Sequence, residues 1–331
     1  MKGYLDPFLE DKKPASGAHL LFYEGIIHGM PGKERGELVT LALMALTTAF
    51  WGGSFIAGKI ALREFPPMTL TFFRFLIATA LILPYMWVTD ETRVPRREDI
   101  PVLFGLGFLG VSGYYTFQFT SLIYTSASNS ATINALIPLT SSVLATFMTE
   151  ERLSARKVAL IFLALTGVLL TATGGDIEIL MSLAFNKGDL IMILAMLCFS
   201  LYGIYSGRMT ARYTPILVTA YIFLFGLIQI TPLMLIEGVV WEVLSYSREA
   251  WAAIVFMAFF SSVLGYMFQQ TAIQRLGINR TMLFFNLVPL FAILFSYLIL
   301  GDPVTLVNIV SAGIIITAVV LNSHTESVGS N

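Results

Sequence analysis

Isolated amides and phenols interrupt the long apolar runs of this chain: Gln118, Asn134, Gln269 and Asn286, with Tyr115, Tyr202, Tyr205 and Tyr266. A polar group in hydrocarbon costs free energy unless it meets a partner, so such residues face a cavity or a neighbouring helix. On a helix, Asn134, Pro138 and Ser141 share one face; so do Tyr115 with Gln118, Tyr266 with Gln269, and Asn286 with Pro289. A wall of amides and phenols can hydrogen-bond an uncharged or zwitterionic solute, and Trp51, Phe55, Tyr202 and Tyr205 are placed to stack on it. The competing role is packing between helices, worth about 0.6 kcal/mol per contact. The expected substrate-binding set is therefore Trp51, Phe55, Tyr115, Gln118, Asn134, Ser141, Tyr202, Tyr205, Tyr266, Gln269 and Asn286. Pro138 and Pro289 each remove a backbone donor near mid-helix, which predicts a kink or hinge at both.

Covalent and metal chemistry find no support in the residues. Cys198 is the single cysteine, and the histidines, His19, His28 and His324, lie near the termini. No Asp or Glu falls in the middle of an apolar run. No metal, cofactor or catalytic set is expected, and the chain reads as a non-enzyme. Gly53 to Ile60 imitates a phosphate loop but ends on Ile60 and lies within a helical run. Gly110-Val111-Ser112-Gly113 resembles a serine-nucleophile motif, with no histidine in any span to act as its base. Arg74 lies about one and a half turns inside an apolar run; anion binding, outward snorkelling and helix capping are all open to it, the structural roles being favoured. Without several buried cations or a membrane-embedded acid, carriers of phosphates and proton-driven pumps fit poorly. Facilitated transport or exchange driven by the substrate's own gradient is the expectation.

What positions these residues is a set of membrane-spanning helices. The 331 residues are 56% hydrophobic and 12% charged, with mean hydropathy +0.78. A soluble domain carries about 25% charge, so a water-facing surface cannot be built. The net charge of −1 offers no basic face to nucleic acid. Apolar runs long enough for a span of about 20 residues cover roughly 38–60, 69–88, 101–123, 128–148, 158–173, 188–206, 215–236, 250–273, 282–300 and 305–321. They are apolar on both parities and so read as helices, ten in all. The first 37 residues are polar and broken by Pro14, Gly29, Pro31 and Gly32, with no cleavable signal pattern. Placing the N-terminus inside puts about fifteen of the 20 Lys and Arg in cytoplasmic segments, among them Arg93, Arg96, Arg97, Arg208, Arg212 and Arg275. Both termini are then cytoplasmic.

The chain also repeats itself. At an offset of 151, Tyr115 meets Tyr266, Gln118 meets Gln269, Pro138 meets Pro289, Glu151 meets Asp302, and Trp51-Gly52 meets Tyr202-Gly203. Five helices per half is an odd number, so the second half inserts upside down. Inverted repeats are the architecture of secondary transporters.

The segments Trp51-Gly52-Gly53-Ser54-Phe55, Pro66-Pro67-Met68-Thr69-Leu70 and Phe73-Arg74-Phe75 resemble the start of EamA-type transporters of the drug/metabolite transporter superfamily. Leu136-Ile137-Pro138-Leu139 leading to Glu150-Glu151-Arg152-Leu153, and Leu287-Val288-Pro289-Leu290 leading to Leu300-Gly301-Asp302, resemble its later helices, with Asp302 where the family usually has Glu. The resemblance implies ten helices, cytoplasmic termini, a central cavity, and export of amino acids or other small metabolites. The expected protein is all-α, with ten transmembrane helices as two inverted five-helix repeats. Its parts are a cytoplasmic segment 1–37, a first repeat 38–173, a linker 174–187, a second repeat 188–322 and a cytoplasmic tail 323–331. The expected partners are a small-molecule substrate and the bilayer of the cytoplasmic (inner) membrane, with no nucleic acid; the number of copies in the working unit is open. The alternatives are an intramembrane enzyme or receptor, or a carrier of phosphorylated metabolites or drugs.

Overall fold

The computed structural model describes residues 32–149, 155–178, 186–239, 241–277, 280–281 and 283–329. Residues 39–331 form one compact unit, and the site lies within it; residues 32–38 of the other unit are helical. The N-terminal segment 1–31, Glu150 to Leu153 with Glu151 of the repeat, and the middle of the linker lie outside the described residues.

Among the described residues the chain is helical, with no strand. The helices are α1 (Gly32–Ala61), α2 (Pro67–Thr89), α3 (Ile100–Tyr124), α4 (Ala127–Asn134), α5 (Ile137–Thr149), α6 (Ala155–Thr173), α7 (Lys187–Thr210), α8 (Pro215–Glu237), α9 (Arg248–Leu276), α10 (Val288–Phe295, continued by a wide π turn Ser296–Leu300) and α11 (Leu306–Gly329). Among the described residues, six stretches are long and apolar enough to cross a membrane: Leu38–Ala61, Pro67–Thr89, Ile100–Tyr124, Lys187–Thr210, Pro215–Glu237 and Arg248–Leu276. Phe284–Leu300 and Leu306–Ala318 are shorter apolar helices. The fourth apolar run of the sequence is not one helix, because the chain turns at Ala135 and Leu136 between α4 and α5. The ninth begins as a 3-10 turn, Leu283–Leu287, before α10. Pro138 and Pro289 sit in the first turn after these breaks, where a missing backbone N–H costs nothing.

The two halves pack on each other by matched contacts. α7 packs along α3, α8 along α2, and α11 along α6. Helices α3 and α9 each contain a π turn, Phe108–Ser112 and Met257–Leu264. A π turn loosens the helical ladder and is frequent at functional sites. In α3 the Gly110 carbonyl accepts from the Tyr266 hydroxyl at 2.6 Å. In α9 the Ser261 carbonyl, at the repeat offset from Gly110, accepts from Trp51 Nε1 at 3.0 Å. Tyr202, the repeat partner of Trp51, lies against Gly110, where an added Cβ would fall 2.5 Å from its ring. Gly52 is packed as closely, its absent Cβ 2.6 Å from that of Phe291.

Helices α2 and α8 run side by side and are joined at both ends. Glu237, the last residue of α8, accepts from the Met68 and Thr69 backbone N–H groups at 3.0 and 2.7 Å and from the Thr69 hydroxyl at 2.7 Å. At the other end the Thr214 hydroxyl, which also caps α8, donates to Asp90 at the close of α2. Outward-facing Leu81, Val88, Phe108, Ile236 and Leu298 leave an apolar surface that only lipid would cover stably.

Candidate functional site

A cavity with about 280 Å³ of empty space opens between the helices. It is lined by Trp51, Ser54 and Phe55 of α1, Tyr114, Tyr115 and Gln118 of α3, Asn134 at the end of α4, Phe199 of α7, and Phe285 before α10. The spacing on α1 is i, i+3, i+4, which puts these three side chains on one helix face. Four aromatic contacts join the wall into a chain: Trp51 to Phe285 at 4.7 Å, Phe285 to Phe199 at 5.5 Å, Phe199 to Tyr114 at 4.7 Å, and Tyr114 to Tyr115 at 4.7 Å. Such rings exclude water and present flat faces to a solute.

The polar groups differ in how they are used. The Tyr114 hydroxyl donates to Asn134 Oδ1 at 3.1 Å. Gln118 is buried, and its Oε1 has no partner. The Trp51 N–H is committed to Ser261, so only its ring remains for a ligand. No group of three or more His, Cys, Asp or Glu among the described residues could hold a metal. The cavity offers hydrogen bonding and stacking, with no nucleophile and base in contact.

Of the eleven residues expected from sequence, Trp51, Phe55, Tyr115, Gln118 and Asn134 line this cavity. The structure does not bring the other six to its wall. Tyr202 and Tyr266 are fully buried behind it; Tyr202 meets Gln270, and the Tyr266 and Tyr115 hydroxyls stand 3.5 Å apart. Gln269 and Asn286 are buried with both side-chain polar atoms unpartnered. Ser141 donates to the Ser200 carbonyl at 3.4 Å, and Tyr205 lies half-buried with Arg208 5.4 Å from its ring centre. Ser54, Tyr114, Phe199 and Phe285 were not among the expected residues. Phenylalanine on an apolar helix carries no signal, and Ser54 is hidden within the small-residue stretch that begins at Gly52.

Arg74 departs most from expectation. It neither snorkels nor caps, because it is completely buried. Its Nε donates to Ser262 Oγ at 2.8 Å, one terminal nitrogen to Ser54 Oγ at 3.1 Å, and the other to the Tyr115 hydroxyl at 3.0 Å. The Met257 sulfur is 3.8 Å away, and the guanidinium lies 4.1 Å from the Tyr115 ring centre. Among the described residues the buried acids, Asp90, Asp99 and Asp189, all stand at helix ends, and none lines the cavity.

A bundle of apolar helices around a small polar cavity defines an integral, multi-pass membrane protein built to hold a small solute. The EamA-like transporter family matches residues 38–173 and 186–324. The chain belongs to that family: it is a transporter of two helical repeats and not an enzyme, and it works with a lipid bilayer and a small-molecule substrate. It is similar to the "Uncharacterized transporter YyaM" of Bacillus subtilis (strain 168), 32% identical over 275 residues, covering 83% of this chain and 90% of that one. A transporter of Archaeoglobus fulgidus is 31% identical over 265 residues, covering 80% and 90%. The "Probable terminal-alkyne amino-acid exporter" of Streptantibioticus cattleyicolor is 22% identical over 268 residues, covering 80% and 88%. A crystal structure shares the fold with a TM-score of 0.58 at 20% identity, over 84% of this chain and 94% of that chain.

Proposed function

We propose that this protein is a secondary transporter that exports small organic metabolites, amino acids foremost, by alternating access between two inverted repeats. The observation that carries the reading is the cavity, whose wall combines aromatic rings with the amides of Gln118 and Asn134 and draws on both halves of the chain. The relative named as an amino-acid exporter supports the same class at low identity. The matched π turns and the Trp51 and Tyr202 contacts on them support two pseudo-equivalent halves that rock about the site. The bias of Lys and Arg supports insertion in the cytoplasmic membrane with both termini inside. The residues proposed to touch substrate are Trp51, Phe55, Tyr115, Gln118 and Asn134, and the breaks before Pro138 and Pro289 are the proposed hinges.

Proteoliposomes holding the purified protein test this. Saturable uptake of labelled leucine, independent of a pH gradient, is the expected result. Uptake only with the gradient would replace exchange by proton coupling. Uptake of a sugar phosphate with none of leucine would overturn the amino-acid reading.

A further inference from the structure

A buried cation without an anion is a high-energy arrangement. Removing a charge from water costs several kcal/mol, and neutral hydroxyls return only part of it. Arg74 is fully buried in a helix that the sequence marks as membrane-spanning, and it makes no ion pair among the described residues. Tying α2 to α1, α3 and α9 does not explain the charge. A neutral amide could bridge Ser54, Tyr115 and Ser262 without that desolvation cost.

Two of its partners stand in the cavity wall. Ser54 Oγ and the Tyr115 oxygen accept from the guanidinium at 3.1 and 3.0 Å, and both residues line the cavity. A hydroxyl whose oxygen accepts from a cation keeps its own proton for another acceptor and becomes a stronger donor. Among the described residues, Ser54 Oγ accepts from Arg74 and donates to no protein acceptor. For Tyr115 the acceptor among the described residues is the Tyr266 oxygen, and at 3.5 Å that contact is far longer than a strong O–H···O bond, so a better acceptor would displace it. The cavity wall thus carries two polarised O–H donors backed by a buried positive charge. One turn along α3 from Tyr115, the same wall carries Gln118, whose Oε1 is unpartnered.

We infer that Ser54, Tyr115 and Arg74 form a carboxylate subsite, the two hydroxyls donating to the carboxylate oxygens and Arg74 supplying the compensating charge. One positive charge matches one carboxylate; a phosphate dianion would leave buried negative charge unbalanced. Beside it, one turn along α3 from Tyr115, Gln118 would supply the acceptor for an ammonium group. The inference rests on the proposal that this cavity holds substrate, and it specifies the group that must be present.

The test is ligand binding to the purified full-length protein, read by quenching of tryptophan fluorescence. The probes are leucine, leucinamide, 4-methylpentanoate and inorganic phosphate. Leucine and 4-methylpentanoate should bind, and leucinamide at least about tenfold more weakly than leucine, the scale of losing hydrogen bonds to a charged group. Ser54→Ala and Tyr115→Phe, which keep the packing, should each weaken 4-methylpentanoate about tenfold and leave leucinamide unchanged. Arg74→Gln should abolish the preference for the acid, and the two milder variants carry the test if it fails to fold. Leucinamide binding as well as leucine would overturn the subsite while leaving an amino-acid carrier standing. Binding of 4-methylpentanoate without leucine would keep the subsite and refute the amino-acid reading. Tighter binding of phosphate than of either carboxylate, or no binding by any probe, would overturn the subsite.

Discussion

Gln118 and Asn134 line the same cavity but hold opposite positions in the energetics of the fold, so substituting each separates packing from recognition. Gln118 is 2% exposed, and its Oε1 has no partner. A buried acceptor left unsatisfied costs about 1–3 kcal/mol. Gln118→Met keeps the length of the side chain, and a swap that conserves volume costs under about 1.5 kcal/mol. The substrate-free variant should therefore be as stable as the parent or up to about 1 kcal/mol more stable. Asn134 is 3% exposed and accepts from the Tyr114 hydroxyl at 3.1 Å. Asn134→Leu strands that hydroxyl, and stability should fall by about 1–3 kcal/mol. Transport should fall in both, because each change removes a polar group from the cavity wall. For Gln118, loss of a hydrogen bond to a charged ammonium raises half-saturation about tenfold or more. Thermal unfolding in detergent without ligand, paired with leucine uptake in proteoliposomes, reads the two effects separately. If Gln118→Met lost more than about 1 kcal/mol of stability and transported like the parent, the amide would be packing between helices, and the recognition argument would be refuted.

Gly110→Ala should destabilise the protein by about 1–3 kcal/mol, the range for overpacking. The new Cβ would fall 2.5 Å from a Tyr202 ring already held at its tip by Gln270, and thermal unfolding reads the loss. Trp51→Phe keeps a ring in the cavity but strands the Ser261 carbonyl, and should cost about 1 kcal/mol or more on the same scale. Glu64 holds the Ser247 backbone N–H and hydroxyl, and those hydrogen bonds keep its carboxyl below the usual carboxylate range. A lowered pKa stabilises the fold above the unfolded value and loses that stability as pH falls through the folded one. Glu64→Gln should therefore flatten the acid side of the stability curve between about pH 5 and about pH 3, measured by unfolding across that window.

The helical class and the repeat were legible because they rest on long-range statistics of the sequence. Apolar runs on both parities and a constant offset survive errors at any single residue. The site was legible only in part. Trp51, Phe55, Tyr115, Gln118 and Asn134 stand out chemically on apolar helices, and the structure places all five on the cavity. Helix faces alone could not tell the wall from the layer behind it, which is why Tyr202, Tyr266 and Gln269 were grouped with them. Asn286 and Phe285 show the same problem at one-residue range. The 3-10 turn at Leu283–Leu287 puts the plain Phe285 on the wall and leaves the amide off it. The environment of Arg74 depends on Ser54, Tyr115 and Ser262, which lie on three helices other than its own. No local pattern encodes such a meeting.

The double fastening of α2 to α8 has a mechanical consequence. With Glu237 at one end and the Asp90 to Thr214 contact at the other, the two helices cannot slide past each other and behave as one strut. Arg74 is carried on that strut, while Ser54 and Tyr115 are carried on α1 and α3. If the strut separates from those helices, the guanidinium is drawn off the two hydroxyls, and the donors in the cavity wall lose the charge that polarises them. Grip on an anion would then be strongest when the strut is seated and weakest when it swings away, so that one rigid movement would both open the path and loosen the cargo.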